Sequence, residues 1–439
     1  MTRRIVLCTF ILLICLPLPA KAKALRYTLK EAVEHALVAN PSVEAKLLAM
    51  EKAKMDVGVA TSYFLPTVSL ISGRSKMHNE GGSGSSDEYS NITVTNGMRI
   101  GLSLFAGFAH LNNLQKSMLT VDVENARHGL ARLELIGNIQ LMFLNLLKAR
   151  EDIKTVQESK KRIMTQLKAA QAFVKVGMAP YLNVLQNEVE LARVRQEEIR
   201  AANTIRTAKV TLNKYLNYDT DVPVEYVGEL SDYSGVVPYT EEEALQVSLY
   251  SRPDLIIAQK SVAVATKQSH ITAGRYLPTV NFSFDSMRSR KDYNPDGYPF
   301  PNDYSRSYWN LGFNFSWEIF SGGGTTFALL GDRKAMASMR KDYENAMTTA
   351  KADVIKALLD IEAARELIAT SRKGLEAAKE SYAMADRRYQ TNTGTITELL
   401  DAQVRLTEAE GYYSTALAEF QSARSRFFYN IGRENTGLD

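Results

Sequence analysis

A chain of 439 residues with 53 Lys and Arg, 49 Asp and Glu, five His and two Cys is close to charge balance. Arg3, Arg4, Lys21 and Lys23 all precede residue 25; without them 49 basic residues face 49 acidic ones, and no basic excess supports a nucleic-acid partner. Cys8 and Cys15 also precede residue 25, so the rest of the chain has neither disulfides nor thiolate metal sites.

The chain opens with Arg3 and Arg4, an apolar run over 5–18, and small-residue sites at Ala20-Lys21-Ala22 and Ala22-Lys23-Ala24. That order reads as a cleaved secretory signal over 1–24. The exported chain would then work in an oxidising compartment without using its disulfide chemistry. Ile14 precedes Cys15 in mid-run, where a lipoprotein signal carries a small residue, so lipidation is not expected. No later segment collects the roughly 18 apolar residues of a transmembrane helix. A membrane-spanning part would consist of strands.

From Tyr27 onward one pattern is stated twice. Tyr27-Thr28, Pro41 and Pro66-Thr67-Val68 return 212 positions later as Tyr239-Thr240, Pro253 and Pro278-Thr279-Val280. Leu104-Phe105-Ala106-Gly107 returns 215 positions later as Ile319-Phe320-Ser321-Gly322. A repeat of about 200 residues is too long for a solenoid unit and reads as a duplicated half. The halves are 25–218 and 239–432. An irregular linker over 219–238, rich in Pro, Gly, Asp and Tyr, joins them, and a short polar tail follows over 433–439.

Each half begins with a short helix, over 28–39 and 240–251. Asn40-Pro41 and Arg252-Pro253 break it and start a second helix to residues 62 and 275. A hairpin follows, over 66–106 and 278–321. Trp309, Leu311, Phe313, Phe315, Trp317 and Ile319 alternate with Asn310, Gly312, Asn314, Ser316 and Glu318, giving one apolar and one polar face. Met98, Ile100, Leu102 and Leu104 alternate in the same way in the first half. Trp309 and Trp317 stand about 26 Å apart at about 3.3 Å per residue. That is close to the apolar band of about 25 Å between aromatic girdles in a lipid-facing barrel. Trp309, Leu311, Phe313, Phe315 and Trp317 are the expected lipid-facing residues, and the polar tips over 80–86 and 294–303 suit loops beyond the band.

Long helices complete each half. Met347, Val354, Ile361, Ile368, Leu375, Tyr382 and Tyr389 recur every seven residues, with Ala350, Ala357, Ala364, Ser371, Ala378 and Ala385 at the other seam position. Leu399, Leu406, Tyr413, Phe420 and Phe427 continue the design beside Ala402, Ala409, Ala416 and Ala423. In the first half Ile139, Leu146, Ile153, Leu167 and Val174 fit, with Lys160 as an exception; Val184, Leu191, Ile205 and Leu212 fit, with Glu198 as an exception. One helix over 108–176 would be about 100 Å long at 1.5 Å per residue. Such a helix needs partners of equal length, as in a rod or a tube wall.

One chain supplies four strands, too few to close a barrel, and an open edge is not viable in lipid. Two chains would give eight strands around a filled interior, and three would give twelve around an interior able to conduct.

The chain resembles the TolC-like outer-membrane efflux protein family over nearly all of its length after residue 24. The carrying residues are the helix-to-strand junctions Phe64-Leu65-Pro66-Thr67 and Tyr276-Leu277-Pro278-Thr279, and the strand-to-helix junctions Leu104-Phe105-Ala106-Gly107 and Ile319-Phe320-Ser321-Gly322-Gly323. Two helix-tip turns add to them: Val176-Gly177-Met178 before Asn183-Val184-Leu185, and Thr391-Asn392-Thr393-Gly394 before Glu398-Leu399-Leu400-Asp401-Ala402. The resemblance implies a mixed membrane protein: a homotrimer whose twelve-strand transmembrane β-barrel, four strands per chain, continues into a long periplasmic α-helical coiled-coil barrel. It implies an exit duct of a tripartite efflux or type I secretion system, set in outer-membrane lipid. Its partners would be a periplasmic adaptor and an inner-membrane transporter of RND, ABC or MFS type.

The chain reverses at Gly177 and Asn392, where a left-handed residue is expected. The family has glycine at both places, so Asn392 is a departure. By the resemblance Val176, Gly177, Met178, Asn392, Thr393 and Gly394 form the adaptor-docking tips. Glu398 and Asp401 follow Thr397, read as an N-cap, in a first helical turn whose dipole favours acids. The resemblance places them at the narrow periplasmic end, where three copies would stack carboxylate rings that favour cations. Tyr389 matches a family tyrosine in the polar links that hold a helix iris shut. Asn183 stands where its acidic partner is usual, and Gly394 where an arginine is usual, so the lock is less ionic here. Glu398, Asp401, Tyr389 and Asn183 are therefore the gate residues expected.

No enzymatic constellation accompanies these features. His35, His78, His110, His128 and His270 lack metal-ligand spacing, Gly322-Gly323-Gly324-Thr325 lacks the lysine of a phosphate loop, and no nucleophile elbow is present. No catalytic residue, cofactor or metal is expected. The competing reading is a periplasmic structural coiled coil without a pore, against which the strict alternation and paired tryptophans stand.

Overall fold

The computed structural model describes residues 25–79, 89–219, 222–230, 238–293 and 304–435. The expected signal, the two hairpin tips, part of the linker and the end of the tail lie outside them. The first half is β1 (Leu25–Tyr27), α1 (Leu29–Ala39), α2 (Pro41–Ser62), β2 (Thr67–Asn79), β3 (Tyr89–Ala106), α3 (Ala109–Lys175) and α4 (Leu182–Tyr215). After β4 (Val224–Tyr226) come α5 (Glu241–Ser251), α6 (Pro253–Ala273), a 3-10 turn over Gly274–Tyr276, β5 (Thr279–Tyr293), β6 (Tyr304–Ser316), α7 (Gly324–Gln390) and α8 (Ile396–Asn430). The long helices α3 and α7 have 67 residues each, so the duplication is kept in length.

The helix starts are repeated atom for atom. Thr28 and Thr240 cap α1 and α5 with the same reciprocal box, in which the threonine N–H donates to Glu31 or Glu243 and the glutamate N–H donates back to the hydroxyl. Asn40 then caps α2 by accepting from Ser42 N–H at 2.9 Å, and Pro41 occupies the first helical position, where no N–H is needed. Asn40 Nδ2 also donates to the Tyr215 carbonyl at the end of α4. Arg252, its counterpart, donates to the Asn430 carbonyl at the end of α8. Tyr215 and Asn430 are themselves 215 positions apart, so each half ties its helix break to the end of its own last helix by different chemistry.

The four strands form one antiparallel sheet in the order β2-β3-β5-β6, which leaves one edge of β2 and one edge of β6 unpaired among the described residues. Val68, Ile100, Phe284 and Leu311 lie in one cross-strand row, and Leu102, Phe282 and Phe313 in the next. Residues directly opposite share a face, so these rows gather the apolar side chains on one side of the sheet. The register shifts between Ser103 and Phe105, where β3 bulges beside Leu104. At the foot of the sheet Gly107 and Gly274 touch so closely that a Cβ on Gly107 would sit 2.1 Å from the Gly274 carbonyl oxygen. Gly107 and Phe108 are both left-handed there, and Gly322 and Gly323 repeat that turn before α7.

The fold departs from the sequence expectation at three places. The linker is not wholly irregular: Val224–Tyr226 pairs in parallel with Leu25–Tyr27, because Val224 and Tyr226 both point into the core. The strand that holds Trp309 ends at Ser316, so Trp317 lies just past it, its indole Nε1 donating to the Tyr276 carbonyl at 3.0 Å. One helix, α3, does carry an 18-residue window apolar enough to cross a membrane, but half of that window is buried. Its residues Leu135, Ile136, Ile139, Phe143, Leu146 and Leu147 belong to the core around Leu212 and Tyr226, which accounts for the apolarity.

Candidate functional site

The functional surfaces lie at the two ends of the molecule. At the sheet end, Trp309, Leu311, Phe313 and Phe315 are 71%, 50%, 68% and 65% exposed on a single face. Phe282 and Phe313 meet across strands with tilted rings 5.3 Å apart. The opposite face is polar, with Arg99 paired to Asp285 at 2.6 Å. A sheet with an uncovered apolar face and a polar reverse matches a wall between lipid and water. Toward the hairpin tips the apolar rows give way to Arg74, Arg288 and Lys76 on the same face.

At the helix end two tight reversals join α3 to α4 and α7 to α8. Gly177 is left-handed at φ 78° and Asn392 at φ 57°. In both, the amide two residues past the cap donates back across the last turn: Met178 N–H to the Phe173 carbonyl and Thr393 N–H to the Arg388 carbonyl, each at 2.8 Å. This double bonding closes carbonyls that a helix end otherwise leaves open. Asparagine tolerates the left-handed well better than most residues, which is why one tip dispenses with glycine.

The tips share geometry but not surface chemistry. Val176, Met178, Tyr181 and Leu182 are each more than half exposed, so the first tip is apolar. The second carries Thr391, Asn392 and Thr393, all exposed. Tyr181 and Leu182 escaped the sequence reading, although two large apolar residues beside a helix break are a legible signal.

The expected gate residues are only partly gathered. Tyr389 is buried, packs edge-on to Phe173 at 5.9 Å and so ties the tip of α7 to that of α3. Its hydroxyl faces the Asn183 side chain but falls short of hydrogen-bond geometry. Burial raises the hydroxyl pKa above its ordinary value, and Asn183 opposes the rise. Glu398 and Asp401 are exposed on α8. Arg388 Nη1 lies 3.6 Å from Glu398 Oε2, a half-exposed ion pair of small energetic weight. Gly394 packs beside both, at the end of α7.

The cap of α8 is Thr395, not Thr397: the Thr395 hydroxyl accepts from Glu398 N–H at 3.2 Å, placing Thr397 inside the first turn. Above the tips sits a polar cluster that sequence reading missed. Gln166 Nε2 donates to the Tyr382 hydroxyl at 3.2 Å, and the Arg162 guanidinium lies over the Tyr382 ring while pairing with Glu410 at 3.0 Å. The available signal was Tyr382, a polar-tipped residue in an apolar heptad position. Among the described residues no cluster of His, Cys, Asp and Glu could hold a metal ion.

Comparison with known proteins agrees with this architecture. The model of a family described as outer membrane efflux protein matches residues 32–218 and 244–432. Protein CyaE of Bordetella pertussis is 23% identical over 375 residues, covering 85% of this chain and 77% of the relative. The pyoverdine export outer membrane protein OpmQ of Pseudomonas aeruginosa is 22% identical over 393 residues, covering 87% and 80%. Among solved structures, the outer-membrane channel OprN superposes with a TM-score of 0.81 at 17% identity, over 92% of this chain and 90% of that one. The open state of the MtrE channel of Neisseria gonorrhoeae gives 0.75 at 18% identity, over 92% and 89%.

Proposed function

The chain belongs to the outer membrane efflux protein family, and we propose that three copies of it close into one continuous duct. It is an outer-membrane efflux channel that extends into the periplasm, of the kind used by tripartite efflux and type I secretion systems, and it transports without catalysis. The observation that carries the trimer is the sheet: four strands with an unpaired edge on β2 and another on β6. An unpaired edge cannot stay in lipid. Pairing β6 of one copy with β2 of the next satisfies both, and twelve strands leave room for a passage.

Below the barrel the 67-residue helices would form the tunnel wall down to the tips. The apolar first tip and the polar second tip, from Val176 to Met178 and from Asn392 to Gly394, would receive a periplasmic adaptor, which links the duct to an inner-membrane transporter of RND, ABC or MFS type. Tyr389 and Asn183 would hold the helix pairs together at the closed end. Glu398 and Asp401, repeated three times, would line the mouth with carboxylates and favour cations.

The test is extraction and mass. The protein should leave the outer membrane only with detergent and migrate as a three-chain particle by light scattering; a rod released by salt alone would return the reading to a structural coiled coil.

A further inference from the structure

The apolar face of the sheet changes character at Trp309. One row runs Leu70, Met98, Ser286 and Trp309 across the four strands. The next row on that face, about 7 Å nearer the hairpin tips at about 3.3 Å per residue, runs Ser72, Asn96, Arg288 and Ser307. Beyond it come Arg74, Val94, Arg290 and Ser305, and then Lys76, Ile92 and Asp292. The long helices leave the sheet from its other end, at Ala109 and Gly324, so these rows lie on the side away from the helical region.

Shape and charge both set this surface apart. Small side chains beside Arg288 leave a shallow groove of about 600 Å³, with Ser72, Asn96 and Ser307 around it and Leu70 and Met98 at its apolar foot. Ser72 Oγ donates to Asn96 Oδ1 at 2.7 Å, which leaves the Asn96 amide N–H groups to donate elsewhere. On the rows beyond Trp309 the cations Arg74, Lys76, Arg288 and Arg290 share one carboxylate, Asp292, which already accepts from Arg290 at 3.0 Å. Arg74, Lys76 and Arg288 are exposed and form no ion pair among the described residues. Arg99, on the opposite face, is by contrast paired with Asp285.

A cation on the lipid-facing side of a barrel is costly at mid-membrane and nearly free at the interface. Trp309 marks that interface, because indole rings settle at headgroup level. The basic rows then stand among the headgroups of the leaflet away from the helices. We propose that the groove holds the phosphorylated headgroup of an anionic lipid in that leaflet. Arg288 and Arg74 bind its phosphate oxygens, which a guanidinium can engage two at a time. The Asn96 amide and the Ser307 hydroxyl donate to the remaining headgroup oxygens. The occupant is a lipid rather than a free anion because the groove opens at its foot onto the apolar rows of Ile100, Phe284 and Leu311, over which acyl chains can lie. This rests on the lipid-facing reading of the sheet.

The test is lipid binding to the full detergent-solubilised particle, read by native mass spectrometry with diphosphorylated lipid A as the probe. R74Q/R288Q should weaken binding roughly 25-fold, at about fivefold for each cation near an anionic lipid surface. R306Q removes a cation from the opposite face and should leave binding unchanged. Equal affinity of the native protein and R74Q/R288Q, or an equal loss in R306Q, overturns the site. Zwitterionic phosphatidylcholine bound as tightly as lipid A refutes recognition by charge, and displacement of lipid A by an equal concentration of inorganic phosphate refutes the lipid. If R74Q/R288Q does not accumulate, the native protein decides: raising salt from about 0.1 to 1 M should cut lipid A affinity about tenfold or more, and unchanged affinity refutes the proposal. A protein that leaves the membrane without detergent overturns the lipid-facing sheet itself, a failure separate from that of the headgroup site.

Discussion

Lys160 and Glu198, the two charged residues that interrupt the heptad stripes of α3 and α4, interrupt them together: Lys160 Nζ lies 2.6 Å from Glu198 Oε2, with both side chains about two-thirds or more buried. A stripe broken on one helix by a cation is broken on its partner by an anion at the same level. Single substitution K160A or E198A leaves a half-buried charge without its partner and should cost about 1 kcal/mol or more. The double variant K160L/E198L restores the apolar stripe and should be neutral or stabilising. Thermal melts followed by circular dichroism will separate these; a double variant less stable than either single one would contradict the account.

Asn40 and Arg252 should respond unequally to truncation although they occupy equivalent breaks. N40A removes a helix cap and one tie to Tyr215, at a cost of about 1–2 kcal/mol. Arg252, only 9% exposed along its side chain, pairs with Asp254 and Asp353 as well as reaching Asn430. R252A leaves those carboxylates without their shared cation and should cost about 3 kcal/mol or more. Denaturant unfolding of the two variants measures the difference, and equal losses would deny Arg252 its wider role.

The core beside the middle of α3 should weaken in alkali. Tyr27 and Tyr218 hydroxyls share a 2.6 Å hydrogen bond, and burial first, then that bond, pushes the Tyr27 pKa up to about 12. Burial moves Tyr226 in the same direction. A raised folded pKa means that the neutral form is held by the fold. The contribution is complete below the unfolded tyrosine pKa of about 10 and is lost as pH climbs toward 12. The melting temperature should fall between pH 9.5 and about 12 more steeply for the native sequence than for Y27F. Parallel curves would rule the cluster out.

The tips offer a backbone test. Gly177 and Asn392 share a left-handed conformation, so G177A should destabilise its tip by about 1–2 kcal/mol while N392G should be neutral or mildly stabilising. Hydrogen exchange at Met178 and Thr393, whose amides close the two turns, reads each tip separately. Slower exchange in G177A would be inconsistent with the geometry.

Sequence carried the fold further than it carried the site, for identifiable reasons. The long helices announced themselves because Val354, Ala357, Ile361 and Ala364 must repeat with the helix to stay buried. The strand around Phe313 was legible because one apolar and one polar sheet face impose strict alternation. Val224 and Tyr226 were missed because two inward residues in a Pro- and Gly-rich linker are too short a pattern to stand out. Threonines stand at both 395 and 397, so the sequence alone does not decide the cap of α8; only the Thr395 hydroxyl, which accepts from Glu398 N–H, tells them apart. The Tyr389–Asn183 contact joins α7 to the start of α4 across the tips, a pairing that no local pattern records.

The proposed duct is a conducting ring whose mouth Glu398 and Asp401 would line. Purified protein in a planar bilayer should give discrete current steps with a preference for cations, and E398Q/D401N should keep the steps while lowering that preference. A wild-type protein that gives no steps, or a double variant with unchanged selectivity, would contradict the duct in the first case and the carboxylate mouth in the second.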